Sequence, residues 1–143
     1  MGIKAVTPTS AVIDELNAFV RKKQQQIVSM LQYCGESAVR YARENGNYQD
    51  RTGNLRSSIG YLIVENGAEI THSDFNTVRD GAEGSSNGLE YARQCAAAHQ
   101  KGLVLIVVAG MNYAEYVERR GYDVLSGSQL EAEQILQRLI SRL

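Results

Sequence analysis

Cysteine and histidine are scarce in this sequence, and it has no long hydrophobic run. Two cysteines, Cys34 and Cys95, cannot form a disulfide framework, so we expect buried, reduced thiols in a cytoplasmic protein. The two histidines, His72 and His99, have no second histidine or cysteine at the spacing of zinc ligands, and we expect no metal site. The longest apolar run, Leu103–Ala109, is far shorter than the ~20 residues of a membrane-spanning helix. These absences argue against disulfide-rich, metal-binding and membrane-spanning classes.

An excess of charge of one sign is also lacking. The 15 basic and 16 acidic residues give a net charge of −1, so the chain has no overall footprint for binding a polyanion. The basic run Arg21–Lys23 is interpreted as a solvated helix face. Residues 1–8 lack the apolar core of a signal peptide, which again favours the cytoplasm. A hydrophobic fraction of 43% over 143 residues is typical of one globular domain, residues 1–143.

The first third of the chain is predicted to form one long helix from about Ser10 to Glu44. Its apolar residues recur at spacings of three and four, which places them in one stripe. The run Asn45-Gly46-Asn47 tolerates left-handed conformations and is expected to end the helix. A helix this long exceeds the average of ~11–12 residues, so we predict that it packs beyond its own small sheet and that the chain self-associates. The stripe consists of Val12, Leu16, Phe19, Val20, Ile27, Met30, Leu31, Cys34 and Ala38.

A hairpin is the clearest strand signal. The segments Ile59–Glu65 and Ala68–His72 are rich in β-branched and aromatic residues. Asn66-Gly67 separates them, and this pair favours a two-residue hairpin turn. The polar, glycine-rich stretch Ser73–Gly88 follows, and we predict a flexible loop there that becomes ordered on binding a neighbour.

The next two elements are assigned from composition. Leu89–Gln100 is alanine-rich and predicts a helix with Tyr91 and Cys95 toward the core. Leu103–Ala109 predicts a strand, and we place it at the centre of the sheet because it is apolar on both faces.

The C-terminal part predicts a short helix over Asn112–Arg119 and a short edge strand over Tyr122–Leu125. A final helix is expected from Ser126 onward, where Ser126 and Gln129 have the spacing of a capping box. Together these elements predict an α+β fold: a small, mainly antiparallel sheet packed with the long N-terminal helix and the C-terminal helix.

The segment Arg51–Ile59 connects the long helix to the hairpin. Thr52 is expected to cap a short helical turn, and Gly53 to support a tight backbone geometry. Leu55 and Ile59 are four residues apart and are expected to anchor this turn to the core. Taken alone, the segment indicates a well-capped connector.

The two arginines of this connector, Arg51 and Arg56, are expected to project outward and to pair with carboxylates on a neighbouring molecule. The change Arg56→Ala should then weaken assembly while costing little stability.

A second segment, Gly110–Glu118, follows the apolar strand. We expect the rings of Tyr113 and Tyr116 to pack over the sheet beside Val117, with their hydroxyls on polar partners. Leu55, Ile59, Tyr113 and Val117 are predicted to pack together and to couple the two segments. Neither segment contains a nucleophile–base pair or a cluster of metal ligands.

In this order the two segments resemble the gene-product-ten family of lambda-like tailed bacteriophages, small neck proteins known as tail-completion or head–tail joining proteins. The first segment is similar to the family pattern Thr-Gly-x-Leu-Arg-x-Ser-Ile, and the second to Tyr-Ala-x-Tyr-Val-Glu. The family usually continues with glycine and threonine, whereas this chain continues with Arg119-Arg120-Gly121. The matching residues are Thr52, Gly53, Leu55, Arg56, Ser58 and Ile59 in the first segment and Tyr113, Ala114, Tyr116, Val117 and Glu118 in the second.

The resemblance implies a virion structural protein of a tailed phage or prophage that completes the tail and joins it to the head as part of a ring. The implied partners are further copies of the chain, the tail terminator and head-closure proteins, with nucleic acid only passing through the ring lumen. The implied location is the host cytoplasm during assembly and then the virion neck. No catalytic residue, cofactor or metal is implied. The alternative is a small cytoplasmic adaptor, or a toxin–antitoxin-type binding module that dimerises through its long helix.

Overall fold

The computed structural model of the chain describes residues 2–4 and 9–142. Residues 5–8, which belong to the N-terminal segment without a signal-peptide pattern, lie outside the described residues, as do Met1 and Leu143. The architecture is the predicted α+β arrangement, with a long N-terminal helix, a three-stranded antiparallel sheet and a C-terminal helix.

The long helix α1 extends over Thr9–Asn45 and confirms the prediction from apolar periodicity. The C-terminal helix α5, Ser126–Ile140, packs along it in the antiparallel direction. Gly127 at the start of α5 lies against Tyr41, whereas Leu139 near its end lies beside Met30. Only the C-terminal half of α1 is therefore enclosed by the rest of the fold.

The sheet contains β1 (Ile59–Glu65), β2 (Ala68–His72) and β3 (Leu103–Ala109) in the order β2-β1-β3. The predicted hairpin is confirmed, and Asn66 and Gly67 both have positive φ, 51° and 83°, as its two-residue turn requires. The prediction that β3 is central is wrong, because β1 pairs with both other strands. No further strand pairs with β3 within the described ranges.

Both faces of the sheet are covered, which explains why an edge strand is apolar on both sides. One face packs against α1 and α5, and the other packs against α3 (Ala82–Ala96). Burial on both faces therefore follows from two helical layers and does not require a central position. The first face is built around Leu31, Val39, Ile59, Tyr61 and Ile63, and the second around Leu62, Val64, Phe75, Ala92 and Ile106.

The predicted flexible loop Ser73–Gly88 is wrong in its second half. The irregular segment covers residues 73–81, and α3 begins at Ala82, seven residues before the helix that composition predicted. Ala92 and Ala96 face the core, whereas Tyr91, which was expected inside, is exposed and Cys95 is half-buried. The small side chains allow α3 to lie close to the sheet.

The C-terminal part departs from the prediction at two places. The helix α4 covers Ala114–Arg119, but the stretch predicted to be an edge strand, residues 122–125, is irregular. The capping box is also absent at the start of α5, because no side chain of that helix caps its first turn. Glu118 takes this role from the end of α4.

Candidate functional site

The two segments that carry the family resemblance, Arg51–Ile59 and Gly110–Glu118, meet at one end of the sheet. We call them the first and the second signature. Ile59 pairs with Ala109 in the β1–β3 ladder, and the Gly110 N–H donates a 3.2 Å hydrogen bond to the Ser58 carbonyl. Leu55 and Ile59 are buried in the same core cluster as Ala114, and the half-buried Val117 packs against that cluster. We call this region, residues 48–59 together with residues 109–118, the signature junction.

Asp50 organises the first signature, although it was not among the predicted site residues. Its buried carboxylate accepts the backbone N–H of Leu55 at 3.3 Å and of Arg56 at 2.9 Å, which caps the short helix α2, Asn54–Ser57. The predicted cap, Thr52, accepts only the Asn54 N–H, at 3.2 Å. An aspartate shortly before a helical turn is a strong capping residue, and that signal was present in the sequence.

Arg56 points inward, so the prediction that it projects toward a neighbour is wrong. Its guanidinium donates to the carbonyl of Arg43 at 3.2 Å and to that of Gly46 at 2.8 Å. It also lies 4.5 Å from the centre of the Tyr48 ring and 3.8 Å from the Asp50 carboxylate. Because Arg43 belongs to the last turn of α1, where carbonyls have no helical partner, Arg56 joins the end of α1 to α2.

The ring of Tyr48 stacks against the Arg56 guanidinium. Burial raises the pKa of Tyr48 to about 12, although the positive charge of Arg56 acts in the opposite direction. The tyrosine therefore remains neutral at physiological pH. The other arginine of the connector, Arg51, is exposed as predicted.

The segment that precedes α3 is packed onto the junction. Gly53 has φ 82°, and a β-carbon at this position would collide with the carbonyl of Val78. The Val78 N–H donates to the Ser57 hydroxyl at 2.7 Å, and the Arg79 guanidinium donates to the Asp50 carbonyl at 3.0 Å. This part of the polar stretch is thus tied to the connector by specific hydrogen bonds.

Two glycines of α3 allow that helix to touch the junction directly. The Gly84 N–H donates to the Asn54 side chain at 3.0 Å, and a β-carbon on Gly84 would collide with the Asn54 carbonyl. Gly88 lies against the Ser58 carbonyl and against Gly110. The glycines that suggested flexibility in the sequence are close-approach positions in the fold.

Glu118 closes the second signature by capping α5. Its carboxylate accepts the backbone N–H groups of Leu125 and Ser126, both at 2.9 Å, and the Ser126 hydroxyl at 2.8 Å. Partial burial acts to raise the pKa of Glu118, but these hydrogen bonds outweigh it and lower the pKa overall. The charged carboxylate therefore stabilises the connection between α4 and α5.

The tyrosines of the second signature do not cover the sheet as predicted. Tyr113 is 38% exposed and Tyr116 is 61% exposed, so neither ring is buried over the sheet. Of the residues predicted to pack together, Leu55, Ile59 and Val117 belong to one core cluster. The Arg120 guanidinium lies 5.7 Å from the Tyr116 ring centre and donates to its hydroxyl at 3.1 Å. The outer face of α4 therefore exposes the Tyr116 ring and the Arg120 guanidinium beside an exposed Glu115–Arg119 ion pair.

The histidines and cysteines do not form a second site in the described part of the chain. His72 is within 3.7 Å of Glu69, and among the described residues no group of three or more histidine, cysteine or acidic side chains is placed to hold a metal. Cys34 and Cys95 are free, Cys34 is buried, and that burial raises the pKa of its thiol. In the described part of the chain, none of the helices combines the length and the apolar character needed to cross a membrane.

No protein-family model, curated protein or solved structure matches this chain.

Proposed function

We propose that this chain is a structural subunit of the neck of a tailed phage or prophage, where it completes the tail and joins it to the head as part of a ring. Its partners are then further copies, the tail terminator and head-closure proteins. DNA passes only through the ring lumen. The proposal assigns the chain no catalytic step and no cofactor. It places the chain in the host cytoplasm during assembly and in the neck of the finished virion.

The observation that carries the proposal is the meeting of the two signatures. They are far apart in the sequence, yet the Gly110–Ser58 backbone hydrogen bond and a shared core place them side by side. Most of the residues that resemble the family build this junction. Thr52, Tyr113 and Tyr116 are the exposed exceptions.

The exposed face of α4 is the surface that we assign to a neighbouring neck protein. Tyrosine and arginine are enriched at protein interfaces because they combine apolar area with polar groups. Tyr113, Tyr116 and Arg120 present both kinds of group to solvent on and beside one short helix.

The direct test is to delete the coding sequence from the genome that carries it, induce particle production and examine the lysate by electron microscopy. We expect filled heads and separate tails, with joined virions restored by the wild-type gene. Tyr116→Ala should restore far fewer joined virions, whereas Tyr33→Ala, which alters an exposed tyrosine on α1, should complement fully.

Joined, infectious virions in the deletion strain would contradict the proposal, as would the absence of the chain from purified particles. A growth defect without any change in particles would instead favour the adaptor or toxin–antitoxin alternative.

A further inference from the structure

The N-terminal part of α1 extends beyond the rest of the fold. Near the end of α5, Leu139 and Arg142 line one surface groove with Lys22 and Met30 of α1. We call the segment Ser10–Lys23 the α1 arm; at 1.5 Å per residue it is about 20 Å long. Its large apolar side chains, which are between 42% and 59% exposed, are Val12, Ile13, Leu16, Phe19 and Val20.

These side chains form one stripe that continues the core-facing side of the same helix. With about 100° of rotation per residue, Leu16 and Val20 lie in line with Leu31, Cys34 and Ala38, which are buried. The arm therefore carries a core-like surface without a core. Such a surface on a preformed helix is suited to pairing with another helix.

One charge lies in the stripe itself, because Lys23 follows Leu16 by seven residues and its ammonium lies 5.6 Å from the centre of the Phe19 ring. The two charges beside the stripe identify the other helix. Glu15 and Lys22 lie on the same edge of the stripe, two helical turns apart, because seven residues return to nearly the same angle. The other edge carries Ile13 and Val20. Asp14 and Arg21 lie on the far side of the helix, away from the stripe.

We propose that the α1 arm pairs with the α1 arm of a second copy in the antiparallel direction, about a two-fold axis between Asn17 and Ala18. In this register Leu16 of one copy packs on Phe19 of the other. Ile13 packs on Val20 along one edge, and Glu15 faces Lys22 along the other. The two-fold axis repeats every contact, so one pairing makes two ion pairs.

The order of the charges along the arm favours the antiparallel pair over a parallel pair. In a parallel pair the edge that carries Glu15 and Lys22 faces the opposite edge of its partner, where Ile13, Asn17 and Val20 carry no charge. The antiparallel pair satisfies the charges of Glu15 and Lys22 with a single kind of chain. In that register Lys23 faces Val12 of the second copy, whereas a parallel pair would place the two Lys23 side chains together. Such a two-fold contact uses the same surface on both copies and therefore stops at a dimer.

The interface is small but preorganised. Two segments of this length fall at the low end of specific interface size, which corresponds to a weak dimer. The arm is already helical because it continues a helix that the domain holds at its other half, so pairing does not require helix nucleation. The inference does not rest on the neck proposal, because it concerns the free chain.

Sedimentation velocity on the whole protein, over about 1–300 µM and at low and high salt, tests the pairing. We expect a monomer–dimer equilibrium that weakens with salt. Glu15→Lys and Lys22→Glu should each weaken the dimer on the order of tenfold, since each places two like-charge pairs at the interface. An equimolar mixture of these two variants should restore dimers, because in the mixed dimer each position 15 again faces a position 22 of opposite charge.

Asp14→Lys and Arg21→Glu are the matched controls, because they reverse charges on the far side of the same arm and should leave the dimer unchanged. Leu16→Asp should abolish the dimer, with a far-UV circular dichroism spectrum like that of the wild type. A monomer at every concentration would overturn the proposal. So would a dimer that ignores the Glu15 and Lys22 reversals, or a mixture that fails to restore pairing.

Discussion

Replacing Arg56 with alanine should destabilise the folded protein substantially. The guanidinium donates two hydrogen bonds to carbonyls at the end of α1, and its side chain is 24% exposed. A hydrogen bond from a charged donor contributes about 1.5–3 kcal/mol, and partial exposure favours the lower end. Stacking of the guanidinium on Tyr48 adds about 0.5–1 kcal/mol. Since water can reach part of the vacated site, we expect a total loss of about 2–4 kcal/mol.

Urea unfolding followed by far-UV circular dichroism measures this loss. Arg56→Lys should retain less than half of the stabilisation, because one ammonium group cannot reach both carbonyls in the geometry of the guanidinium fork. Arg51→Ala is the matched control, since Arg51 is exposed on the same connector, and it should stay within about 0.5 kcal/mol of the wild type. If Arg56→Ala and Arg51→Ala cost the same small amount, Arg56 is not a clamp between α1 and α2.

Three further changes test the junction and the helix α3 that packs against it. Leu55→Ala should cost about 2–5 kcal/mol in urea unfolding because Leu55 is buried in the core, whereas Leu130→Ala, at an exposed leucine, should cost less than about 0.5 kcal/mol. Gly84→Ala should cost about 1–3 kcal/mol of stability, because the methyl group of the new alanine meets the backbone of α2. Ser86→Ala, at an exposed position of the same helix, should leave the stability unchanged. If Gly84→Ala also leaves it unchanged, the predicted flexible loop is supported instead. Glu118→Gln should lower the free energy of unfolding at pH 7, and the two proteins should converge as the pH falls through the folded-state pKa of Glu118. The direction of this pH dependence follows from the lowered pKa of Glu118, because a carboxylate of this kind stabilises the fold above its unfolded-state pKa and loses that contribution on protonation. A difference in the free energy of unfolding that stays constant at all pH values would rule out this linkage.

The parts of the fold that the sequence predicted correctly depend on local signals. The boundaries of α1 follow from apolar periodicity and the run Asn45-Gly46-Asn47, and the hairpin follows from Asn66-Gly67. Each of these signals lies within or beside the element that it specifies. Local reading was therefore sufficient for the long helix and for β1 and β2.

The errors arise where a distant contact decides the structure. Gly84 and Gly88 lower helix propensity, but α3 forms through them because only glycine permits its approach to α2 and to Gly110. The composition of β3 reports burial on both faces and gives no information about its neighbours in the sheet. Cap assignment failed for the same reason, since Glu118 replaces the expected Ser126 pair through a tertiary contact.

The orientation of Arg56 shows why the candidate site was only partly predictable. An arginine on a short connector is usually assigned to the surface, and nothing in its immediate sequence shows that the end of α1 lies within its reach. The buried Asp50 and the ring of Tyr48 create that inward site, and both come from the turn that follows α1. Only the folded arrangement brings these groups together.

The signature residues fall into two groups, those that determine how the chain folds and those that are exposed for contact with other molecules. Leu55, Ser58 and Ile59 are buried, and Arg56 and Glu118 connect neighbouring helices, so a resemblance at these positions constrains how the chain folds. Contacts with other molecules come from exposed groups, and the two surfaces that we propose for them are Tyr113 and Tyr116 at α4 and the apolar stripe of the α1 arm. On these proposals, we expect substitutions at the buried positions of the junction to lower stability and assembly together, and substitutions at Tyr113, Tyr116 or the stripe of the α1 arm to change assembly alone. Measuring stability and assembly on the same variants distinguishes a folding signature from a docking signature.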